Sequence, residues 1–204
     1  MQALVVFATF VLLTAPARAD EPKQHRGFYL RMSLGPSATG MRAEDSDVRI
    51  RGGGGSLSVA VGGALTENLV LYGELFRDGI DDPDVDGTHV DSSRAVEAGL
   101  GGIGPGVSYY FMPLNLYVSG TVALMWGTLT IEDELDPDDR TQLSTKGGLG
   151  LSLMVGKEWW LSRNWGLGIA ARLTAAGMKD DDIVDGDAKW SAGGFALLLS
   201  ATYN

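Results

Sequence analysis

Apolar and polar residues alternate along much of this chain, beginning at residues 28–34. Phe28, Leu30, Met32 and Leu34 share one phase there, and polar or small residues hold most of the other. A period of two places successive side chains on opposite faces of a β-strand. The same period recurs and predicts eight strands, over residues 28–34, 56–61, 69–76, 94–111, 116–126, 149–155, 165–174 and 195–203.

The apolar phase slips once, inside the fourth of these strands. Leu100 lies in one phase and Ile103 in the other, with Gly101 and Gly102 between them. An extra residue in one strand shifts the phase in this way, so the pattern predicts a β-bulge at the two glycines.

The connections between the strands fall into a short and a long class. Three are tight and end in Asn, at residues 66–68, 112–115 and 161–164. Four are long and acidic, at residues 36–52, 77–93, 132–145 and 178–188. In that order the long ones contain three, six, six and five acidic residues. Short and long connections should lie at opposite ends of the sheet, so 20 of the 26 acidic residues should share one end.

An even number of strands with short turns at one end and long loops at the other is typical of membrane-spanning barrels. The pattern therefore predicts an all-β fold, an eight-stranded antiparallel up-and-down transmembrane β-barrel over residues 27–204. The alternative is a soluble β-sandwich or lipocalin-like barrel, whose apolar phase would face inward.

Aromatic residues should form a belt at each end of such a barrel. Near the short turns these are Phe28, Tyr109, Tyr110, Phe111, Tyr117, Trp159, Trp160, Trp165 and Tyr203. Beside the long loops they are Phe76, Trp126 and Trp190.

The N-terminal residues are typical of a secretory signal peptide. An apolar run extends from Ala3 to Leu13, and small residues at Ala17 and Ala19 precede the first acidic residues. The run is too short for a membrane-spanning helix, which needs about 20 residues. We therefore expect a signal peptide over residues 1–19 and a short periplasmic segment over residues 20–26.

Glycine accounts for 29 of the 204 residues, which is about twice the usual share of about 7%. When the strand phase is fixed from the aliphatic residues, fifteen glycines fall on the inward face: Gly35, Gly54, Gly62, Gly99, Gly101, Gly102, Gly104, Gly106, Gly127, Gly148, Gly150, Gly156, Gly166, Gly168 and Gly194. A missing side chain makes room for larger groups opposite it in a narrow barrel.

Charge and cysteine content exclude two classes of function. The net charge is −10, which argues against binding of nucleic acid, because phosphates require a basic face. The chain has no Cys, which excludes disulfides and thiolate metal sites.

The sequence resembles the small eight-stranded bacterial outer-membrane barrels of the OmpA, OmpX and OmpW kind. The resemblance covers residues 27–204, and its most distinctive stretch is the strand, turn and strand of residues 156–168. It implies a place in the bacterial outer membrane and contact with the barrel assembly machinery, which reads an aromatic C-terminal residue. Here Asn204 follows Tyr203, which departs from that pattern.

Several charged residues fall in the inward phase, and eight strands leave an interior just wide enough for side chains to fill. Arg31 and Arg172 should meet Glu74 in a buried network, because lumen charges are tolerated when they are paired. Glu97 falls in the same phase. We therefore expect a plugged barrel without an open channel.

The second long loop contains half of a calcium-loop pattern. Asp82, Asp84 and Asp86 alternate before Gly87, but Ser93 stands where the bidentate Glu should be. The loop is therefore expected to be a solvated acidic segment or, at most, a weak divalent-cation (calcium) site.

Basic residues stand at the loop ends of the predicted strands. This basic collar consists of Arg49, Arg51, Arg77, Arg94, Lys146, Lys179 and Lys189. Arg and Lys could pair with lipopolysaccharide phosphates at that depth, or simply keep the rim soluble and neutralise neighbouring Asp.

These observations favour a non-enzymatic, monomeric outer-membrane barrel with a structural or surface-interaction role and an unknown extracellular loop partner. The resemblance carries this more than any residue does, and no catalytic or cofactor-binding residue is assigned. One alternative is an OmpW-like conduit for small apolar molecules. Another is a lipid A-modifying enzyme, with Asp86, His89, Asp91 and Ser92 as its candidate residues.

Overall fold

The computed structural model describes residues 25–44, 48–81, 83–85, 88–89, 94–112, 114–133, 136–179 and 189–204. The predicted signal peptide, residues 1–19, lies outside them, as do residues 20–24 of the predicted periplasmic segment. Among the residues described, no helix is long and apolar enough to cross a membrane.

Eleven strands form a single sheet in the described ranges. In chain order they are β1 Gly27–Ala43, β2 Arg49–Ala64, β3 Leu69–Asp81, β4 Asp84–Val85, β5 Thr88–His89, β6 Arg94–Phe111, β7 Leu116–Asp133, β8 Asp136–Ser144, β9 Lys146–Trp160, β10 Trp165–Lys179 and β11 Lys189–Tyr203.

Eight of these strands close the barrel, in the order β1, β2, β3, β6, β7, β9, β10 and β11. Each pairs antiparallel with the next, and β11 returns to β1 along a register that runs from Tyr203 opposite Leu30 to Trp190 opposite Ala43. The short strands β4 and β5 form a hairpin beside β2, and β8 pairs with the loop end of β7. The predicted eight-stranded antiparallel barrel is confirmed.

The outer face of the barrel is apolar. Exposed side chains on it include Leu34, Leu57, Val122, Leu149 and Leu199, each more than half exposed. Their sequence neighbours face inward, as Ser33 and Ser200 do at 1% and 4% exposure. A barrel with its apolar phase outward and its polar phase inward is built to stand in lipid. The soluble lipocalin-like alternative is therefore wrong.

The aromatic belts are only partly as predicted. Near the short turns, Phe28, Tyr109, Phe111, Trp159 and Trp165 lie on the outer face, each at least 41% exposed. Four other aromatic residues of the two predicted belts point inward and are at most 1% exposed: Phe76, Tyr110, Tyr117 and Trp190. The aromatic content of both ends is thus divided between the lipid face and the lumen.

The predicted β-bulge at Gly101 and Gly102 is wrong. On one side Gly101 and Gly102 pair with Arg77 and Phe76, and the register with β7 is equally continuous. Leu100 faces the lumen with no exposed surface, because the loop end of the lumen is itself apolar. As a consequence Gly99 and Gly101 face outward, contrary to the prediction.

Lumen glycines make room for large rings. Three of them lie directly opposite a ring on the neighbouring strand, in the pairs Gly102–Phe76, Gly106–Tyr72 and Gly156–Tyr117. A Cβ built on Gly156 would lie 2.5 Å from Cζ of Tyr117. Any side chain there must displace the ring or the strand.

Replacing Gly156 with Ala should lower the free energy of unfolding by about 1–3 kcal/mol, because the methyl group overlaps Tyr117. Urea unfolding of the barrel in lipid vesicles measures the change. Gly73→Ala is the matched control, since nothing lies within 4 Å of a Cβ built there. An equal loss in both variants would show that the space opposite Tyr117 is not what Gly156 provides.

Candidate functional site: the lumen and its two mouths

The half of the lumen nearest the short turns holds four tyrosines around one arginine. Tyr29, Tyr72, Tyr110 and Tyr117 are each at most 5% exposed. The guanidinium carbon of Arg31 lies 6.0, 5.4 and 5.0 Å from the ring centroids of Tyr29, Tyr72 and Tyr117. Its nitrogen atoms have no hydrogen-bond partner among the described residues. The ring faces therefore provide the main contact of this buried cation.

A chain of hydrogen bonds leads from these rings to Glu158. The hydroxyl groups of Tyr29 and Tyr110 lie 3.0 Å apart, and Tyr110 donates to Oε1 of Glu158 at 3.3 Å. The hydroxyl of Thr202 donates to the same oxygen at 2.7 Å. The chain links β1, β6, β9 and β11 across the lumen.

A second chain holds Glu74. Oγ1 of Thr121 donates to Oε2 of Glu74 at 2.6 Å, and it lies 3.1 Å from the hydroxyl of Tyr72. Arg31 contacts Tyr29 of the first chain and Tyr72 of the second, so the cation lies between two buried carboxylates. Mutual attraction in a medium of low polarity offsets part of the cost of burying these charges.

Arg172 pairs with Asp78 and not, as predicted, with Glu74. Nη2 of Arg172 forms a salt bridge with Oδ1 of Asp78, and both side chains are at most 2% exposed. The same nitrogen donates to Oγ of Ser56 at 2.7 Å, and the guanidinium carbon lies 4.8 Å from the ring centroid of Phe76. The predicted single network is therefore two separate sites.

Glu97 is not part of the lumen network. It is exposed, and its register partners are Asp81 on β3 and Thr130 on β7. The error has the same origin as the predicted β-bulge: without a slip at Gly101, the odd-numbered residues of β6 face outward.

The half of the lumen nearest the loops is mostly apolar, although Thr39, Thr145 and Thr174 are also buried there. Its buried cluster consists of Met41, Ala43, Ile50, Phe76, Ile80, Ala98, Leu100, Ala123, Met125, Met178, Trp190 and Ala192. A depression of about 390 Å³ at the rim is lined by Met178 and Trp190, together with Glu44, Lys179 and Lys189. The lumen thus changes from polar to apolar between its two mouths.

His25 closes the mouth at the short-turn end. Its ring is fully buried and lies 3.7 Å from the Tyr110 ring and 5.3 Å from the Trp160 ring, centroid to centroid. Nδ1 lies 2.8 Å from Oδ1 of Asn204, and Nε2 lies 3.3 Å from Oδ1 of Asn115. His25, two residues before β1, therefore contacts Asn204, which gives Asn204 a structural role.

The described members of the basic collar lie where the sequence places them, at the loop ends of strands. Arg49, Arg51, Arg77, Lys179 and Lys189 are exposed. Cross-strand neighbours include both like charges, as in Lys179 opposite Lys189, and opposite charges, as in Arg51 opposite Asp84. Arg94 and Lys146 begin β6 and β9, and Lys146 is the partner of Lys179 across the sheet.

The loop candidates fall largely outside the described residues. Asp82 and Asp86 of the calcium pattern do so, while Asp84 is in β4 opposite His89 of β5. Asp91 and Ser92 of the enzyme alternative also lie outside. No group of three or more metal-binding side chains occurs within the described ranges. The calcium site stays a prediction.

Sequence reasoning missed three lumen residues, for different reasons. Asp78 was assigned to a long loop, but β3 continues through it to Asp81. His25 precedes the first alternating segment, so strand phase did not apply to it. Glu158 lies at an even position of β9, in phase with Ser152 and Gly156, so this phase was the signal that could have found it.

No family model and no curated protein matches this chain. Its fold is shared by solved structures of low sequence identity. Neisserial surface protein A is 13% identical, with a TM-score of 0.55 over 87% of this chain and 96% of that one. Outer membrane protein AlkL, solved in DMPC bilayers, is 16% identical, with a TM-score of 0.50 over 93% and 94%. This chain is therefore a membrane-spanning barrel of the outer-membrane type.

Replacing Asp78 with Asn should lower the free energy of unfolding by about 3 kcal/mol, because it leaves Arg172 buried without a counter-charge. The double variant D78N/R172M should lose less than the sum of the two single variants. Urea unfolding in lipid vesicles provides the comparison. Glu67→Gln, which breaks the exposed Arg26–Glu67 pair, is the control and should cost less than about 1 kcal/mol. Additive losses would contradict a coupled pair.

Replacing His25 with Ala should loosen the mouth at the short turns. The backbone N–H groups of Glu158 and Asn204 donate to the carbonyls of Asn115 and Asn164 there. Hydrogen exchange of these two groups should accelerate about tenfold. In the wild type, local opening must also break the contacts of His25, and in the variant these contacts are missing. Arg26→Gln, on the neighbouring exposed residue, should leave both rates unchanged. Unaltered exchange in the His25 variant would mean that the ring does not hold the mouth.

Proposed function

We propose that this chain is a non-enzymatic outer-membrane barrel with a plugged lumen, which acts through its surface. The observation that supports this is the continuous filling of the lumen by buried side chains. His25 lies at one mouth, the tyrosines and Arg31 follow, then Arg172 with Asp78, and Trp190 lies at the other mouth. A lumen filled in this way offers solutes no path, so function falls to the loops and the outer face.

The acidic loops are the surface that the barrel presents outside the cell. Long loops of outer-membrane barrels are extracellular and short turns periplasmic, so this orientation places most of the acidic residues outside. The role that follows is structural or surface-interactive, with an extracellular partner that carries positive charge or bound cations. Weak binding of calcium by Asp82, Asp84 and Asp86 would fit the same surface.

The basic collar is proposed to face the phosphates of the outer leaflet, including those of lipopolysaccharide. Arg and Lys pair with phosphate through charge-assisted hydrogen bonds. The barrel would enter the membrane as a monomer through the barrel assembly machinery. No partner beyond lipid and this machinery is required to close the barrel, since its eight strands pair in a ring. Within the described ranges, only the short strands β5 and β8 outside that ring pair on one side alone.

A second candidate function is a conduit for small apolar molecules. The observation that favours it is the apolar lining of the loop half of the lumen, with the rim depression beside Met178 and Trp190. An apolar solute would have to leave sideways into lipid, because the polar half below closes the way. Between β1 and β11 the sheet is paired up to Trp190 except at Gly35 and Pro36. This seam therefore offers no long gap for such an exit, and the plug is the better-supported proposal.

The plugged barrel should show no steady single-channel conductance in a planar lipid bilayer. Trp190→Ala should not create one, because Arg172, Asp78 and the tyrosines still fill the lumen below it; Trp165→Ala, on the outer face, is its control. In vesicles, an apolar fluorescent dye should enter at the rate of protein-free vesicles. Steady conductance would refute the plug, and faster dye entry that Trp190→Ala alters would establish the conduit instead.

A further inference from the structure

The outer face of the barrel carries a groove that crosses β2, β3, β6 and β7. It has a volume of about 270 Å³. Its outward-facing lining is Leu57, Val59, Leu75, Arg77, Gly101, Trp126 and Thr128. Since this face stands in lipid, the groove is covered by membrane and not by water.

One side of the groove carries a cation. Arg77 is exposed on the outer face, between Leu57 on β2 and Gly101 on β6. It forms no ion pair or hydrogen bond with any described residue, in contrast to Arg172 of the lumen. A guanidinium on the lipid face is costly unless an anion or the headgroup layer receives it. Arg77 therefore calls for an anionic partner from the membrane.

Two outward glycines shape a seat for that anion. From the point where a Cβ of Gly99 would stand, Oγ1 of Thr128 is 3.2 Å away, the backbone carbonyl oxygen of Asp78 is 3.3 Å away and Nη2 of Arg77 is 3.4 Å away. The hydroxyl and the guanidinium thus lie close together over Gly99, which is itself buried. Both are donors that suit a phosphate oxygen.

The neighbouring glycine gives the groove its apolar wall. The Trp126 indole lies over Gly101, since a Cβ there would be 2.7 Å from Cε2 of the ring. Leu57, Val59 and Leu75 form the opposite, aliphatic side. A groove with an aliphatic side, an aromatic wall and a cation at one end has the shape and charge of a lipid with a phosphate headgroup.

We propose that this groove binds one phosphate-bearing lipid of the outer leaflet. Its phosphate is held by Arg77 and Thr128 over Gly99, and an acyl chain runs along Leu57, Val59 and Leu75 against Trp126. The inference rests on the proposed orientation, which puts the loop end of the barrel outside, and it selects one member of the basic collar as the lipid-binding residue.

Native mass spectrometry of the barrel released from detergent tests the site with phosphatidic acid, with diacylglycerol of the same chains and with inorganic phosphate. The wild type should retain one phosphatidic acid in preference to diacylglycerol. Arg77→Gln should weaken retention of phosphatidic acid about tenfold, to the level of diacylglycerol. Gly101→Val, which displaces Trp126, should weaken retention of both lipids.

Matched controls are Arg163→Gln in a periplasmic turn and Gly73→Val, an outward glycine with nothing within 4 Å. Both should retain lipid like the wild type, and heat-modifiable gel mobility checks that every variant is folded. Wild-type retention in Arg77→Gln, or an equal loss in Arg163→Gln, would overturn the site. Displacement of the lipid by inorganic phosphate alone would make it a free-anion site and overturn the proposal too. None of these results bears on bilayer conductance, so the proposal of a plugged lumen is tested separately.

Discussion

The volume enclosed by eight strands is the constraint on which the rest of this structure depends. So small a barrel has room for its large inward side chains only if residues without a side chain, the glycines, lie opposite them on neighbouring strands. Tyr117 fits because Gly156 is opposite it, and Phe76 fits because Gly102 is opposite it. The excess of glycine in the chain is therefore largely a property of the lumen, where it replaces side-chain volume and does not confer flexibility.

The same lack of space decides how charge is buried. Water cannot surround every ion in a filled lumen, so each must be met by neighbouring side chains. Arg172 has Asp78 and Ser56, whereas Arg31 is contacted by tyrosine rings and lies between two hydrogen-bonded carboxylates. The two arrangements differ in kind. The first is an ion pair, and the second is a cation surrounded by tyrosine rings. The hydroxyl groups of the tyrosines connect through hydrogen bonds to Glu158 and, through Thr121, to Glu74.

Strand phase, together with the alternation of short and long connections, predicted the fold. It also placed Arg31, Glu74 and Arg172 inward, because a one-residue shift would turn every apolar side chain of a strand into the lumen. It failed where the lumen is apolar. Leu100 is a lumen residue, so reading it as lipid-facing created a bulge and misplaced Glu97. Pairing was also beyond reach: Asp78 was counted as loop because an acidic strand end and a loop look alike in sequence. Which side chains meet across the lumen depends on how the strands are staggered along the barrel, and the composition of a strand does not encode that stagger.

Glycine has opposite consequences on the two faces of the sheet. Inside, the space left by Gly156 is filled by Tyr117, and the result is closure. Outside, Trp126 lies over Gly101 in the same cross-strand manner, but no second layer of protein covers it. The ring then becomes the wall of a groove, and the missing side chain at Gly99 lets Arg77 and Thr128 lie close together. The same arrangement, an aromatic ring over a glycine, thus fills the lumen and shapes the surface that meets lipid. A barrel without a pore must act through that surface and its loops.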